Sequence, residues 1–597
     1  MLSKLANDLP AMRRPGIAHI SLTLVGLMWV LPFLYYHHAY PLTTFYQEWG
    51  TALLGLGASG FLLSKQQWQQ PEIPRIVLLP ISLMLLALVQ YLLGRATYFD
   101  QTLLFTLYML WATLLMMLGR ALRERFGLPV IATALAAFLL LGTELGALAG
   151  VLQHYRWHTF LDSVITSKNG AAIYGNMAQP NHYANYIAMG LVSLGFLRLH
   201  MRAWQAVLLA APLLFVMVLS GSRSSWLYLL SMVVLAYLWQ RREPSCRHLL
   251  SYSLLLLLGF GLMHLVVQTP WLAAESSGVT TLQRMTAADN TGSIRLYLWR
   301  ESWLIFSQFP IFGAGWGKFA WQHFQLGPVL QTTYITGLYN NAHNLVMHIA
   351  AEMGLAGLLI LFGALFMWMR QALRAQFSTA HWFACTVLLV LGIHSMVEYP
   401  LWYAYFMGIA AILLGALDNS TYRLEMHRLG RLSVAAVLLL GLLSLIQLHQ
   451  GYQRLERSLN SRPKSIEDKS ASLRMREELI AVHGIPLLRP YAELFMNNWI
   501  EISETELGKK LELNERAIKF VPLGTPAYRR AMLLALAGRQ DEARVQIERA
   551  IWSYPGDFAA QSRELSALAQ KDPAHFSALL EFAIQKNEEY SSAVSTR

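Results

Sequence analysis

The sequence predicts an all-α, polytopic membrane protein with about 13 transmembrane helices, followed by a C-terminal α-helical soluble domain. Of its 597 residues, 55% are hydrophobic and 14% are charged, whereas an average soluble domain carries about 25% charged residues. Apolar runs of about 20 residues recur through the first three quarters of the chain, and each can cross a bilayer core of about 30 Å. Only helices satisfy their own backbone over runs of this length, so an unusually apolar soluble protein is not expected.

Each predicted transmembrane helix corresponds to one apolar run. The first run is long for a signal peptide and lacks a small-residue cleavage site, so we expect it to remain as a membrane helix. The runs lie near residues 17–36, 48–64, 75–94, 101–119, 128–152, 180–197, 203–220, 223–239, 248–267, 341–369, 380–398, 401–417 and 432–449. The predicted domains are nine helices (1–267), a large loop (268–340), four helices (341–450) and the C-terminal domain (451–597).

The loops between the runs alternate in charge, and this alternation predicts the topology. Loops 37–48, 95–100 and 398–400 are nearly free of Lys and Arg, whereas the loops between them are basic. Basic loops stay in the cytoplasm, so we expect a cytoplasmic N-terminus, with segments 154–179 and 268–340 and the C-terminus on the outer side. The net charge of +12 therefore reflects topology, and no nucleic-acid partner is expected. The basic loop residues are Lys4, Arg13, Arg14, Lys65, Arg75, Arg120, Arg123, Arg125, Arg198, Arg202, Arg241, Arg242, Arg247, Arg370, Arg374, Arg423, Arg428 and Arg431.

The C-terminal domain contains a predicted helical hairpin. Residues 527–557 read as a helix, a tight G-R-Q-D turn, a second helix and a Y-P-G-D stop. This pattern resembles one tetratricopeptide unit. A plain helical bundle without a binding groove remains the alternative, because only one clear unit is present.

Four polar clusters begin predicted helices on the outer side. Free backbone N–H groups and the helix macrodipole favour an anion at such positions. Pro180 suits the first turn of its helix, because its missing N–H costs nothing there. The clusters are Q-P-N-H (179–182), G-S-R-S-S (221–225), N-A-H-N (341–344) and E-Y-P-L-W-Y (398–403).

Arg223 is the most informative of these residues, because the short outer loops are nearly free of basic residues. Burying an arginine in a membrane costs roughly 2.5–3.5 kcal/mol on insertion scales, so we expect an anionic partner. Arg295 and Arg300 in the outer loop can converge with it, and guanidinium groups bind phosphate oxygens bidentately. These three arginines together predict a binding site for a lipid-linked phosphate or pyrophosphate. Snorkelling of Arg223 to phospholipid headgroups is the alternative.

His343 is the candidate general base, since an unperturbed imidazole titrates near neutral pH. His348 follows five residues later, which is not one helical face, and we expect it to be a packing residue. His394 and Glu398 are four apart and can pair, while His182 is expected to cap or stack. No H-E-x-x-H or CxxC motif occurs, and the two cysteines form no recognisable site, so no metal or redox centre is expected.

Several of these segments together resemble a known family. S-I-R-L-Y-L-W-R-E-S-W, P-I-F-G-A-G-W-G-K-F and A-H-N-L-V-M-H-I-A-A-E-M-G-L-A-G-L-L resemble the core signature of the O-antigen ligase and polymerase superfamily. Q-P-N-H-Y-A, G-S-R-S-S-W and H-S-M-V-E-Y-P-L-W-Y resemble one branch, the bacterial protein O-oligosaccharyltransferases of the PglL type. The resemblance covers roughly residues 10–450, and the C-terminal helical domain also fits that branch.

The resemblance implies a GT-C-like, inverting glycosyltransferase of the bacterial inner membrane, with its active site facing the periplasm. It would transfer an oligosaccharide en bloc from undecaprenyl pyrophosphate to Ser or Thr of a periplasmic protein, often a pilin, and would need no cofactor. By motif, His343 resembles the base that activates the acceptor, and Arg223 and Arg295 resemble the pyrophosphate-binding arginines. Gln179 and Tyr399 match positions tied to activity. Supporting roles fall to Asn344, His182, Glu398 and Arg300.

Other functions remain as alternatives. Within the superfamily, an O-antigen ligase that transfers to lipid A core sugar, or a polymerase, would use nearly the same chemistry. A transporter would place its polar site near the bilayer midplane, whereas these motifs lie at one face. A non-catalytic assembly protein would leave the arginines and His343 without a common purpose.

Overall fold

The computed structural model describes residues 16–69, 71–168, 170, 172–270, 272, 291–375, 377–423, 427–460 and 469–595. The basic residues Lys4, Arg13 and Arg14 and part of loop 268–340 lie outside the described residues. Within those ranges the regular structure is helical apart from two strands of 3 residues, Glu72–Pro74 and Thr421–Arg423, which pair antiparallel. The all-α class of the prediction is therefore confirmed.

A helix occupies each of the predicted spans. Among the described residues, 7 helical segments are long and apolar enough to cross a membrane: Ile17–Leu34, Arg75–Leu92, Phe99–Phe126, Leu128–Tyr155, Pro244–Val266, Leu345–Ala372 and Arg428–Asn460. The shorter apolar helices are Ala203–Leu219, Thr379–Ser395 and Ala404–Leu417. The remaining spans correspond to helices Phe45–Ser59, Pro180–Leu197 and Ser224–Arg242. A multi-pass membrane protein is thus confirmed, and the number of thirteen crossings stays a prediction.

The chain forms two compact units by its internal contacts. The first comprises Met1–Ile81, Tyr108–Asp289 and Phe362–Leu445. The second comprises Ser82–Leu107, Asn290–Leu361 and Ile446–Arg597. Each unit therefore combines segments that are distant in the sequence, and each is described below by itself.

Helix Pro180–Leu197 lies at the centre of the first unit. Every residue from His182 to Phe196 is buried. Small residues allow neighbouring helices to approach closely, as is usual in membrane bundles. A Cβ atom added at Gly190 would lie 2.1 Å from Oγ1 of Thr143. The helix packs against the helices Leu128–Tyr155, Ala203–Leu219, Ser224–Arg242, Arg247–Val266 and Thr379–Ser395.

Contacts between loops of the first unit agree with the two sides predicted from the charges. Among the loops predicted to be outside, the Asn176 side chain donates to the carbonyl oxygens of Leu34 and Val164 at 2.7 and 2.8 Å. Among those predicted to be inside, the strands Glu72–Pro74 and Thr421–Arg423 pair with each other. The partition of the loops is therefore consistent with the structure, and the assignment of one side to the periplasm stays a prediction.

The second unit contains two helices from the predicted outer loop and the C-terminal helices. The loop helices are Thr291–Gln308 and Phe319–Leu330. The long helix His427–Asn460 extends beyond the predicted end of the last span. The helices that follow are Lys469–His483, Arg489–Met496, Leu507–Phe520, Gly524–Leu536, Gln540–Ser553, Phe558–Lys571 and Pro573–Ser595.

The predicted C-terminal hairpin is present. Helices Gly524–Leu536 and Gln540–Ser553 pack against each other, and Gly538 reverses the chain between them with a φ of +75°. A run of buried alanines lines the contact and permits a close approach: Ala527, Ala531, Ala535, Ala543 and Ala550. The helical hairpin is therefore confirmed, while its assignment to the tetratricopeptide class stays a prediction.

The outer loop 95–100 is held by side chains of the second unit. Tyr98 donates its hydroxyl to Glu493 of a C-terminal helix at 2.6 Å. The backbone N–H of Leu487 donates to Asp100 at 3.1 Å, and Lys318 contacts the hydroxyl of Thr97. Loop 95–100, loop 268–340 and the C-terminal helices therefore lie on one side of this unit, as the charge alternation predicts.

Gly354 breaks the helix Leu345–Ala372. Its φ and ψ are 65° and −160°, which are not helical. Backbone groups released by the break bond to the glycine-rich turn at 310–317. Ala314 and Gly315 donate their N–H groups to the carbonyls of Ala351 and Glu352 at 2.9 and 3.0 Å. The continuous span predicted from residue 341 to residue 369 is therefore two helical pieces, and the break is stabilised by a segment about 40 residues earlier.

Candidate active site

His343 lies just before a helix, in a backbone conformation that residues with a side chain rarely adopt. Its φ is 48°, in the left-handed region, which costs about 1–2 kcal/mol. The backbone N–H of His343 donates to Oδ1 of Asn341 at 3.1 Å. The side chain is half-buried. An unfavourable backbone conformation held at one histidine is typical of a functional position.

Asn344 separates His343 from the helix that follows. Oδ1 of Asn344 accepts a hydrogen bond from the backbone N–H of Met347 at 3.0 Å, which is the geometry of a helix N-cap. The helix accordingly begins at Leu345 rather than at residue 341. His343 therefore lies in the connecting loop, and Asn344 has a structural reason for its position.

Trp299 attaches a loop helix to the His343 segment. The indole N–H of Trp299 donates to the carbonyl oxygen of Ala342 at 3.1 Å. Arg295 precedes Trp299 by four residues, so the two side chains share one face of helix Thr291–Gln308. Arg295 is half-buried on that face. The second unit thereby places a candidate phosphate-binding arginine on the helix face that contacts the peptide preceding the candidate base.

The other two predicted arginines lie in different surroundings. Arg300 is exposed, and it is one position beyond Trp299, which turns it to another face of the helix. Arg223 belongs to the first unit, where it is half-buried immediately before helix Ser224–Arg242. The preceding Gly221 has a φ of +65° and makes the sharp turn into that helix. The predicted helix start at the G-S-R-S-S motif is confirmed.

Gln179 caps the central helix of the first unit. Its side-chain oxygen Oε1 accepts a hydrogen bond from the backbone N–H of His182 at 2.6 Å, and Pro180 occupies the first turn as predicted. The His182 ring packs edge-to-face on Tyr399 and Tyr403, with centroid distances of 5.9 and 5.1 Å. The His182 ring therefore makes edge-to-face rather than stacked contacts with these tyrosines, and Gln179 holds its backbone N–H.

Three buried polar side chains form a hydrogen-bonded chain, with His394 between His182 and Tyr228. Nδ1 of His182 lies 2.7 Å from Nε2 of His394, and the hydroxyl of Tyr228 lies 2.8 Å from Nδ1 of His394. All three side chains are buried, with exposed fractions of 2%, 0% and 0% for His182, His394 and Tyr228. The sequence predicted only a pairing of His394 with Glu398. The part played by Tyr228 was missed, because three residues on three helices share no spacing pattern.

Glu398 and Tyr399 complete the polar group of the first unit. Asn181 donates its side-chain N–H to Oε1 of Glu398 at 2.8 Å. The backbone N–H of Glu398 donates to the carbonyl oxygen of His394 at 2.8 Å. Tyr399 is half-buried and stacks on Tyr403 at 5.9 Å. The structure thus gathers Gln179, His182, Glu398 and Tyr399 from two distant motifs at the start of one helix.

His348 and Glu352 form a buried pair that the sequence analysis missed. Nε2 of His348 lies 3.1 Å from Oε2 of Glu352, and each side chain is 2% exposed. Glu352 also accepts the backbone N–H groups of Gly317 and Phe319 at 2.9 and 2.8 Å. His348 is buried as expected but is hydrogen-bonded rather than merely packed. The H-I-A-A-E spacing of four residues was the available signal.

The electrostatics near the glycine-rich turn depend on one buried lysine. Burial and the nearby charge of Lys519 lower the pKa of Lys318 to about 8, although the charge of Glu352 raises it. Its amino group also contacts the carbonyl oxygen of Lys519 at 3.2 Å.

Across the described residues, no group of three or more His, Cys, Asp or Glu side chains has the arrangement of a metal site.

Comparison with known proteins identifies three segments of the chain. Residues 173–197 match the family described as protein glycosylation ligase, and residues 206–362 match O-antigen ligase. Residues 382–568 match the C-terminal region of the virulence factor membrane-bound polymerase family. The predicted site residues all fall inside these segments: Gln179 and His182 in the first, Arg223, Arg295, Arg300, His343 and Asn344 in the second, and Glu398 and Tyr399 in the third.

A curated relative extends over most of the chain. It is a general O-oligosaccharyltransferase from Acinetobacter baylyi, 25% identical over 462 residues, which are 75% of this chain and 78% of the relative. The resemblance read from the motifs is confirmed by these matches. The protein is accordingly an enzyme of the glycosyltransferase type.

Proposed function

We propose that the protein transfers an oligosaccharide en bloc from undecaprenyl pyrophosphate to a Ser or Thr hydroxyl of a periplasmic protein such as a pilin. One observation carries this proposal. The helix face that bears Arg295 contacts the peptide group of Ala342, directly before His343, through Trp299. One hydrogen bond thereby links the helix of Arg295, the proposed phosphate-binding residue, to the segment of His343, the proposed base. Transfer from a lipid diphosphate requires this combination.

In the proposed reaction, the acceptor hydroxyl oxygen attacks the anomeric carbon of the donor. The bond from that carbon to the phosphate oxygen breaks, and the lipid diphosphate leaves with the electron pair. His343 takes the hydroxyl proton. A single displacement of this kind inverts the anomeric configuration. Each reactant atom is accounted for without a nucleotide sugar or a metal ion.

Arg223 and Arg295 bind the diphosphate in this proposal. Negative charge grows on the leaving group as the sugar–phosphate bond breaks, and preorganised cations stabilise the transition state. Guanidinium groups suit the task because they stay protonated and bind phosphate oxygens in pairs. Arg300 is exposed, and we assign it a weaker contribution to donor attraction.

The remaining polar residues have supporting functions in the proposal. Asn344 caps the helix after His343. Gln179 holds the backbone N–H of His182, Tyr399 contacts its ring, and Glu398 accepts from Asn181. We propose that this polar group of the first unit orients the acceptor or the glycan through neutral hydrogen bonds.

The proposed location is the bacterial inner membrane, with the active site and the C-terminal domain in the periplasm. The donor lipid and membrane lipids are the expected neighbours of the transmembrane helices. The support comes from the positive-inside rule applied to the basic loops. Loop 95–100 and the C-terminal helices also contact each other, as one shared side requires.

Transfer to lipid A core sugar is the second candidate function. It is favoured by the match of residues 206–362 to O-antigen ligase. The match of residues 173–197 to protein glycosylation ligase and the curated relative favour a protein acceptor. A polymerase remains a third possibility through the match of residues 382–568.

Co-expression with a glycan locus and a candidate pilin distinguishes these functions. Intact-mass spectrometry of the pilin is expected to show the addition of a whole oligosaccharide with the parent enzyme and no addition with His343→Ala. Glycan on lipid A core with an unmodified pilin would instead establish the ligase. Longer lipid-linked glycans without transfer to either acceptor would establish a polymerase.

A further inference from the structure

Side chains hold both backbone polar groups of Ala342, which belong to two successive peptide groups. The carbonyl oxygen of Ala342 accepts the Trp299 indole N–H at 3.1 Å. Its N–H donates to Nδ1 of His348 at 3.3 Å. The next residue is His343, whose left-handed φ of 48° must be maintained by its surroundings. The fixed backbone of Ala342 therefore supplies one of the constraints that hold His343, the candidate base, in place.

Hydrogen bonding assigns one protonation state to His348. A backbone N–H can only donate, so Nδ1 of His348 must carry a lone pair toward Ala342. The ring proton then lies on Nε2, which faces Oε2 of Glu352 at 3.1 Å. His348 is thus a neutral imidazole whose two nitrogens have different and fixed functions. A histidine in this state bonds to the backbone and is not available as the proton acceptor.

Glu352 is fixed by the glycine-rich turn. Its two carboxylate oxygens accept the N–H groups of Gly317 and Phe319 at 2.9 and 2.8 Å. The carboxylate is 2% exposed, so its orientation is determined by these bonds. A hydrogen-bonded series therefore runs from the turn through Glu352 and His348 to Ala342 and the adjoining His343.

We propose that His348 is a positioning residue for His343, with Glu352 selecting the tautomer that lets His348 hold the Ala342 peptide. The inference rests on the proposed function of His343 as the base. It assigns the two histidines of the A-H-N-L-V-M-H motif different tasks: one receives the proton, and the other fixes the backbone that presents it. Trp299 bonds the carbonyl oxygen of Ala342, in the next peptide group, and so links His343 to the helix that carries Arg295.

Two substitutions test the hydrogen bonds of the two His348 nitrogens one at a time. In His348→Asn the amide oxygen replaces Nδ1 and can still accept the Ala342 N–H, whereas the contact with Glu352 is lost. In His348→Gln the amide lies near the position of Nε2, and the acceptor for Ala342 is lost. We expect His348→Gln to lower kcat by about 10- to 100-fold with little change in the KM for the lipid donor, because misplacement of about 1 Å has effects of this size. His348→Asn is expected to recover most of the kcat.

The experiment uses the purified full-length enzyme, a lipid-linked oligosaccharide and an acceptor protein. Thermal unfolding of every variant verifies folding, and His343→Ala is assayed in parallel. Trp299→Phe is a milder second variant that removes only the indole donor, and it is expected to lower kcat/KM. Trp303→Phe, one turn further along and 59% exposed, is the matched control and is expected to leave transfer unchanged.

The outcomes are distinguishable. Parent-like kcat in both His348→Gln and Trp299→Phe, with an inactive His343→Ala, would overturn the positioning function and leave the proposed base intact. Equal loss in His348→Asn and His348→Gln would also overturn it, because the rescue depends on the Nδ1 position. Activity in His343→Ala would overturn the proposed base itself.

Discussion

The hydroxyl of Tyr228 lies 2.8 Å from Nδ1 of His394, deep inside the helices of the first unit. The opposite nitrogen of His394 lies 2.7 Å from Nδ1 of His182. Only one of two facing imidazole nitrogens can donate a proton. If Tyr228 donates to His394, then His394 donates to His182, and the reverse direction is equally complete. The direction of the Tyr228–His394 hydrogen bond is therefore coupled to which nitrogen of His182 carries the proton.

Tyr228→Phe is expected to destabilise the protein by about 1–3 kcal/mol, since His394 loses a buried hydrogen-bond partner. Thermal unfolding in detergent measures the change. Tyr237→Phe is the matched control on the same helix, because Tyr237 is 46% exposed and its loss is expected to cost less than about 0.5 kcal/mol. Equal stabilities of the two variants would show that the hydrogen bond between Tyr228 and His394 does not contribute to the stability of the protein.

Gly354→Ala is expected to destabilise the second unit. Its φ of +65° is unfavourable for alanine, and the added Cβ would lie 2.5 Å from the backbone nitrogen of Gly313. The backbone effect alone is about 1–2 kcal/mol, and the steric overlap adds to it. Gly363→Ala in the same helix meets no atom within 4 Å and is expected to be neutral or stabilising. Unfolding temperatures that rank the two variants in the opposite order would contradict the helix break.

The helices were predictable from the sequence, whereas the break at Gly354 was not. A membrane helix needs only an apolar run of sufficient length, and every predicted span contains a helix. Glycine is frequent in membrane helices, so Gly354 gave no signal. Its break depends on backbone bonds from Ala314 and Gly315, and nothing in the local pattern specifies a partner about 40 residues earlier.

Site residues that lie within one short motif were predictable from the sequence. Contacts between residues on different helices were not. The Q-P-N-H motif located the start of its helix, because the preference of Pro180 for the first turn is local. The indole of Trp299 bonds to Ala342, but the sequence does not distinguish a tryptophan with such a partner from one at a membrane interface. A tryptophan has the same composition signal in both settings, and only the fold shows which partner its N–H meets.

Glu493→Gln is expected to destabilise the C-terminal helices by about 1–3 kcal/mol at neutral pH. Arg516 donates twice to this carboxylate, at 3.0 and 3.1 Å, and Tyr98 donates once at 2.6 Å. Glu512→Gln is the matched control, because it pairs with the same arginine while 71% exposed. Thermal unfolding or limited proteolysis measures both variants.

The effect of Glu493 depends on pH. Burial raises the pKa of the Glu493 carboxyl, but hydrogen bonds from Arg516, Tyr98 and His483 outweigh it and hold the pKa below its usual value. The carboxyl therefore contributes stability above its unfolded pKa of about 4.3, and this stability is lost as the pH falls through the lower folded value. The difference in unfolding temperature between parent and Glu493→Gln should shrink below about pH 4. A difference independent of pH would contradict this account.

Arg223→Ala and Arg295→Ala are expected to weaken use of the lipid donor. Removing one charge-stabilising group from a transition state costs about 100- to 1,000-fold, so kcat/KM for the donor should fall by that order. Arg300→Ala, on the exposed face of the helix that carries Arg295, is expected to have a smaller effect. Initial rates at varied donor concentration measure all three variants. Unchanged donor kinetics in both Arg223→Ala and Arg295→Ala would remove their proposed function.

The most direct measurement is single-turnover transfer by purified enzyme in proteoliposomes, with a defined lipid-linked oligosaccharide and a serine-containing acceptor protein. The parent should attach the intact oligosaccharide to the acceptor hydroxyl in one step. His343→Ala should bind the donor and unfold at the parent's temperature, yet form no glycosylated acceptor. Transfer by His343→Ala at the parent's rate would contradict the proposal that His343 is the base.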